Sequence, residues 1–279
     1  MMNVLNIDVP SALVSHWRAW LVPAQQPFFL TEGETQTLGL GSVPRDDAAL
    51  TPELRDTFTL WSVRPAAKRV VWLSPAQWAA LPARVRRDLL RAQVRHGRGN
   101  VPLGRQYRDL RPGLPVGRFL WLREDLTAEV LTRLVAQDAA PCQRARVPEV
   151  VWHAAEDQLP GARALAGTFP AGSAGNCFGT VMGAAGVPGA AHTWVQREPF
   201  EAFLAARTRR GGQDDQPGTL LIWRSRDGLA QHAAVTLGGG WALQKPAQTW
   251  WTPRVVLPVG QLRRHSRTRG QRLTRATLI

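Results

Sequence analysis

Apolar positions recur along the chain with two spacings, one helical and one strand-like, and each predicts elements. Ser11–Trp20 reads as a short helix, and loops punctuated by Pro and Gly follow to about residue 60. Arg69–Leu73 reads as a short buried strand, and Ser74 followed by Pro75 is the favoured order of cap and first helical residue. Val85, Leu89, Leu90 and Val94 share one helical face, and Pro82 divides that stretch from the helix before it. Arg118–Leu122 reads as a second strand, Leu126–Gln137 as a helix and Pro148–Trp152 as a third strand. A stretch rich in Gly, Ala and Pro at 158–172 then changes the style of the chain. The pattern predicts a mixed α/β domain over residues 1–160, with no recognisable chemistry of its own.

Beyond that boundary the spacings tighten. Residues 174–188 read as a loop, a short helix and a stop, with Asn176 as the cap, Cys177 at the first helical position, and Gly186 and Pro188 as the end. Thr219–Trp223 is an apolar strand, and Asp227-Gly228 is a strong hairpin signal. Gln231–Leu237 is the next strand, Gly238–Gly240 turn the chain again, and Trp241–Gln244 form a third. The reading is an α+β fold, with a helix packed on an antiparallel sheet over residues 161–260.

Composition narrows the classes. No apolar run approaches the roughly 18 residues of a membrane helix. The start shows no basic stretch followed by an apolar core, so a cytoplasmic location is expected. Two cysteines in 279 residues exclude a disulfide scaffold. The formal charge of +14 points towards nucleic acid, but nearly all the cations are arginine, which fits a GC-rich genome bias. Residues 1–160 hold 20 basic and 16 acidic residues; residues 161–279 hold 15 and 5. Six arginines between Arg263 and Arg275, with no acid among them, read as a mobile basic tail over 261–279 that contacts an anionic polymer. Arg84, Arg86, Arg87, Arg91, Arg95 and Arg98 read as the wet face of the helix around Leu89. The sequence holds no RNP-like motif, zinc finger or Gly-rich phosphate loop. A non-catalytic arginine-rich nucleic-acid-binding or interaction protein is therefore the second functional reading, not the first.

The first reading rests on Cys177. A cysteine at a helix start meets unpaired N–H groups and the positive end of the dipole, which favour thiolate and can receive an oxyanion. Strand side chains alternate, so an odd glycine turn puts His232 and Gln244 on one face, opposite or diagonal; an even one substitutes Lys245. Gln244 would then hold one imidazole nitrogen and leave the other for Cys177, the arrangement of nucleophile, base and orienter. His192 and Trp194 would border the cleft, and Lys245, Trp250 and Trp251 would form its rim as substrate contacts. Three competitors are weaker. Residues 171–175 fall one residue short of a serine elbow, a Cys142–Cys177 disulfide suits an oxidising compartment, and Cys177 with His192 and His232 lacks a tight metal-ligand spacing.

The order of a cysteine at a helix start, a Gly-led apolar strand and the run from His232 to Gln244 resembles the NlpC-type branch of papain-like cysteine peptidases and amidases. The resemblance spans about residues 165–260. It implies Cys177 as nucleophile, His232 as general base and acid, and Gln244 as the polar third member. It also implies a peptide or peptidoglycan-like substrate, and no metal or organic cofactor. The chain departs from that family's pattern at Phe178, which follows the cysteine in place of Ser, and at Thr219, which stands in place of Asp.

Overall fold

The computed structural model describes residues 2–137 and 139–279. These form two compact units divided between Leu134 and Val135; the chain start, Asn3–Val9, belongs with the second. That start is a hairpin of β1 (Met2–Val4) and β2 (Ile7–Val9), turned by Leu5 and Asn6 at φ of 55° and 62°. Cys142 ties it down, donating its N–H to the Leu5 carbonyl (2.8 Å) and accepting from the Asn6 amide (3.2 Å).

In the first unit α1 (Ser11–Leu21) precedes an antiparallel sheet of order β3-β5-β4, formed by β3 (Gln26–Leu30), β4 (Val43–Pro44) and β5 (Arg69–Leu73). Around it lie α2 (Glu32–Leu38), α3 (Pro52–Thr57), α4 (Pro75–Ala80), α5 (Ala83–His96) and α6 (Ala128–Ala136). Strand β3 is buried at every position yet lies at an edge of the sheet, where an unpaired ladder is costly. The Gln93 amide of α5 meets that need: it accepts the Phe29 N–H at 2.8 Å and donates to the Phe29 carbonyl at 3.1 Å. Ser74 caps α4 in a reciprocal box with Gln77, and the chain breaks at Pro82, as the sequence predicts.

Three expectations fail in this unit. The stretch to about residue 60, read as loops, holds β3, α2 and α3. Residues 118–122 make no strand: Arg118 forms one bridge with Leu103, and the Phe119 N–H goes to the Pro102 carbonyl of a loop. The apolar run is used instead in packing, with Phe119 edge-on to Trp121 at 4.6 Å. Arg98 is not on a wet face. It follows the left-handed cap Gly97, is 4 % exposed, and lays its guanidinium over Phe58 at 4.1 Å and Phe28 at 5.0 Å.

The second unit contains α7 (Glu149–Ala155), α8 (Ala162–Leu165), α9 (Cys177–Ala184), α10 (Arg197–Arg207) and α11 (Val259–His265). Its sheet is antiparallel throughout, with six strands in the order β10-β9-β8-β7-β11-β6. The strands are β6 (Thr208–Arg210), β7 (Pro217–Arg224), β8 (Ala230–Gly238), β9 (Trp241–Gln244), β10 (Val255–Pro258) and β11 (Arg272–Leu278). Helices packed on antiparallel sheets make the chain an α+β protein. Among the described residues, no helix is long and apolar enough to cross a membrane.

The domain boundaries differ from those the sequence predicts, at both ends of the second unit. The division falls at 134/135 and not at 160, because residues 149–152 lie in α7, which packs on β7 and β8 of the second unit. Pro148 precedes the first helical residue and Trp152 and Ala155 share the buried face, so a short apolar run that fits either element is decided by its burial. Residues 261–279 are not a mobile tail. Leu262 is fully buried, and β11 runs between β7 and β6. The arginines misled because their acid lies far off in sequence: Asp214 pairs with Arg263 (3.0 Å) and Arg275 (2.8 Å), and the two guanidinium groups hold its carboxyl below the usual range.

Leu262→Ala tests this placement. A buried leucine truncated in a packed layer should cost about 2–5 kcal/mol in urea unfolding, whereas a solvated terminus would change stability by less than about 0.5 kcal/mol.

Candidate active site

The site is built where the start of α9 meets β8. Asn176 fixes the helix start: its Oδ1 accepts the Gly179 N–H (2.9 Å) while its Nδ2 donates to the Val195 carbonyl (2.7 Å). Gly179 also lets the turn at 190–193 approach, since a Cβ there would sit 2.3 Å from the Ala190 carbonyl oxygen. The cap consumes the Gly179 N–H, and the N–H groups of Cys177 and Phe178 turn towards the Cys177 sulfur, joined by the N–H of Ala233 on β8. The residue next to His232 therefore lies against the thiol.

The register of β8 and β9 places the imidazole. Val235 pairs with Leu243 and Thr236 with Ala242, after an irregularity at Gly238 that absorbs the three-glycine turn. The next pair in step opposes Gln244 to Ala234, so Gln244 lies on the face of His232, diagonal to it. His232 Nε2 and Gln244 Oε1 are 3.0 Å apart. Ser266 Oγ also donates to Gln244 Oε1 at 3.0 Å, so that oxygen accepts from both sides. His232 thus carries its proton on Nε2 and leaves Nδ1 free to accept. Trp223, paired with His232 across β7 and β8, holds its ring 5.2 Å from the imidazole.

Cys177 and His232 both line a cavity of about 390 Å³, with Trp194, Glu198 and Gln248 around them. A second cavity, of about 580 Å³, opens on the other side of His232 and Gln244 and is walled by Trp251, His265 and Ser266. Neither Cys142 nor Cys177 is in a disulfide. Among the described residues, no three His, Cys, Asp or Glu side chains cluster closely enough to hold a metal ion.

Of the predicted substrate contacts, Trp194 and Trp251 face these cavities and three others do not. His192 is exposed and stands outside both linings. Trp250 is buried, packed edge-on to Trp251 at 5.1 Å. Lys245 is fully buried and donates to the Ala247 (2.5 Å) and Thr249 (2.9 Å) carbonyls, which staples the loop after β9. A lysine directly after a strand can turn back on its own loop, and alternation alone does not distinguish that from a rim. Ser266 escaped the sequence reading because it stands within the supposed basic tail; its hydroxyl, among arginines, gave no signal.

The electrostatics also depart from expectation. Burial pushes the Cys177 thiol up, against the pull of the Ala233, Phe178 and Cys177 N–H groups and the positive charge of Lys245. Burial pushes the His232 imidazole down, against its bond to Gln244. Desolvation outweighs the helix dipole here, so the resting pair at neutral pH is thiol and neutral imidazole.

Comparison of the chain with protein-family models, with curated proteins and with solved structures finds no match in any of the three.

Iodoacetamide labelling checks the resting state. Cys177 should alkylate slowly at pH 7, with a rate still climbing above pH ~8.5, where an ordinary thiol levels off. Lys245→Met should move that rise to still higher pH. A plateau reached below pH 7 would contradict the neutral pair.

Proposed function

We propose that the second unit is a papain-like cysteine hydrolase of NlpC type, cleaving an amide bond in a peptide or peptidoglycan-like substrate through a thioester on Cys177. The observation that carries this reading is the 3.0 Å bond from His232 Nε2 to Gln244 Oε1, which leaves Nδ1 free on an imidazole that shares a cavity with Cys177. Cys177 attacks the carbonyl carbon as its thiol proton passes to His232 Nδ1, forming the S–C bond. The oxyanion forms at the α9 start, where the Cys177 and Phe178 N–H groups are free of helical partners. Collapse breaks the C–N bond, and the proton on Nδ1 leaves with the amine. A water then gives a proton to Nδ1 and attacks the thioester; the S–C bond breaks, the acid departs and the thiol is restored.

Because the resting pair is neutral, His232 acts as a true base in the first step. Activity should appear once the imidazole is deprotonated, and burial lowers its pKa. The acid limb of kcat/KM is therefore expected below pH ~6.5, the ordinary histidine value. Cys177→Ala should abolish cleavage of muropeptides, followed by chromatography of the products, and leave the unfolding curve intact; full activity in that variant would sink the proposal. Ser266→Ala should lower kcat several-fold and move the acid limb, because Gln244 loses the donor that fixes its orientation. An effect on KM alone would remove Ser266 from this role.

A further inference from the structure

We propose that the groove along α5 in the first unit is a docking site for an acidic amphipathic segment of a partner protein. The cavity, of about 1110 Å³, lies between α4, α5 and the irregular stretch at 113–122. That exceeds the roughly 300–1,000 Å³ of small-ligand pockets. Its floor is apolar, formed by Trp78, Leu90, Leu114, Phe119 and Leu120. Two further apolar side chains stand at the edge with much of their surface in water: Val94 at 43 % and Leu122 at 45 % exposure.

The helix that supplies Leu90 and Val94 also supplies Arg86, Arg87, Arg91 and Arg95 to the same lining. Two of these have acids of their own, since Arg95 pairs with Glu34 and Arg91 lies 3.5 Å from Asp88. Arg86 and Arg87 have no carboxylate partner among the described residues. The single acid in the lining, Asp125, is already held by Arg111 (3.1 Å) and the Leu122 N–H (3.2 Å). An occupant must therefore bring both apolar surface and negative charge. A nucleic acid would neutralise the arginines but leave the floor wet, and a wholly apolar segment would leave the guanidinium groups facing hydrocarbon. An amphipathic helix with apolar residues at i, i+3, i+4 and i+7 and carboxylates beside them satisfies both. The fourteen residues of α5 extend about 21 Å, so a segment of roughly four turns would cover the groove.

The site is independent of Cys177, and its test uses the full chain. The probe is a fluorescein-labelled helical peptide of about fifteen residues, with Leu at those four positions and Glu at most others. Anisotropy should show saturable binding that weakens as salt rises. The Arg87→Glu/Arg91→Glu variant and the Val94→Asp variant should each bind at least about tenfold more weakly, with unchanged thermal unfolding because all three side chains are exposed. A peptide with Ser in place of Leu should not bind. Absence of saturable binding, equal binding of the Ser peptide, or equal binding by both variants would overturn the proposal. So would tighter binding of a single-stranded oligonucleotide of equal charge that Val94→Asp leaves untouched, which would assign the surface to nucleic acid.

Discussion

The pairing of His232 with Gln244, on which the candidate site depends, follows from the register of β8 against β9. A strand that slips by one residue turns all its side chains to the opposite face. A one-residue slip would remove Gln244 from His232 and set fully buried Lys245 against the imidazole. The register is held from both sides: Val235 and Thr236 are locked against Leu243 and Ala242, and β10 pairs Val255 with Gln244 from the other edge of β9. The glycine turn closes the hairpin at positive φ in Gly238, Gly239 and Gly240, which side chains at those positions would resist. The geometry of one imidazole thus rests on backbone pairing more than on any contact the imidazole makes itself.

Burial sets the second constraint. The dipole and free N–H groups of a helix start favour a thiolate by a modest amount, typically below about 1 kcal/mol for an exposed group. Removing a charge from water costs several times that unless a partner accompanies it. At Cys177 the surroundings include apolar Phe178 and Ala233, and the nearby cation, Lys245, divides its charge between two carbonyl oxygens. The desolvation side therefore wins at rest. A substrate that displaces water and brings its own carbonyl dipole alters that balance only while it is bound.

What the sequence made legible is what short-range chemistry determines. The cap at Asn176, the first helical position of Cys177, the boundaries of β5 and the break at Pro82 follow from neighbours within a dozen residues, whereas alternation left Gln244 and Lys245 as alternatives beside His232 until the register decided. The failures are of another kind. Residues 148–152 carry an apolar run that serves helix or strand, and only the packing of Trp152 and Ala155 decides. Residues 118–122 have strand composition, but their N–H and carbonyl groups find loop partners before a ladder can form. Ser266 and Lys245 acquire their roles from groups that the fold brings near and that periodicity does not address.

Charge shows the same limit. An arginine counted along the chain reports no partner, because the partner of Arg275 is 61 residues away and that of Arg224, Glu201, is 23 away. The cluster from Arg263 to Arg275 belongs to a buried helix and strand and not to a tail, and Asp214 serves two of its guanidinium groups at once. Around α5, by contrast, the sequence predicts arginines on a wet helix face; Arg98, just beyond the helix, packs on Phe28 and Phe58, and Arg86 and Arg87 have no acid partner among the described residues. The positive charge that matters for recognition is therefore the fraction left after internal pairing. Part of that charge, at Arg86 and Arg87, lies over an apolar groove in the first unit, far along the sequence from the thiol and the imidazole in the second.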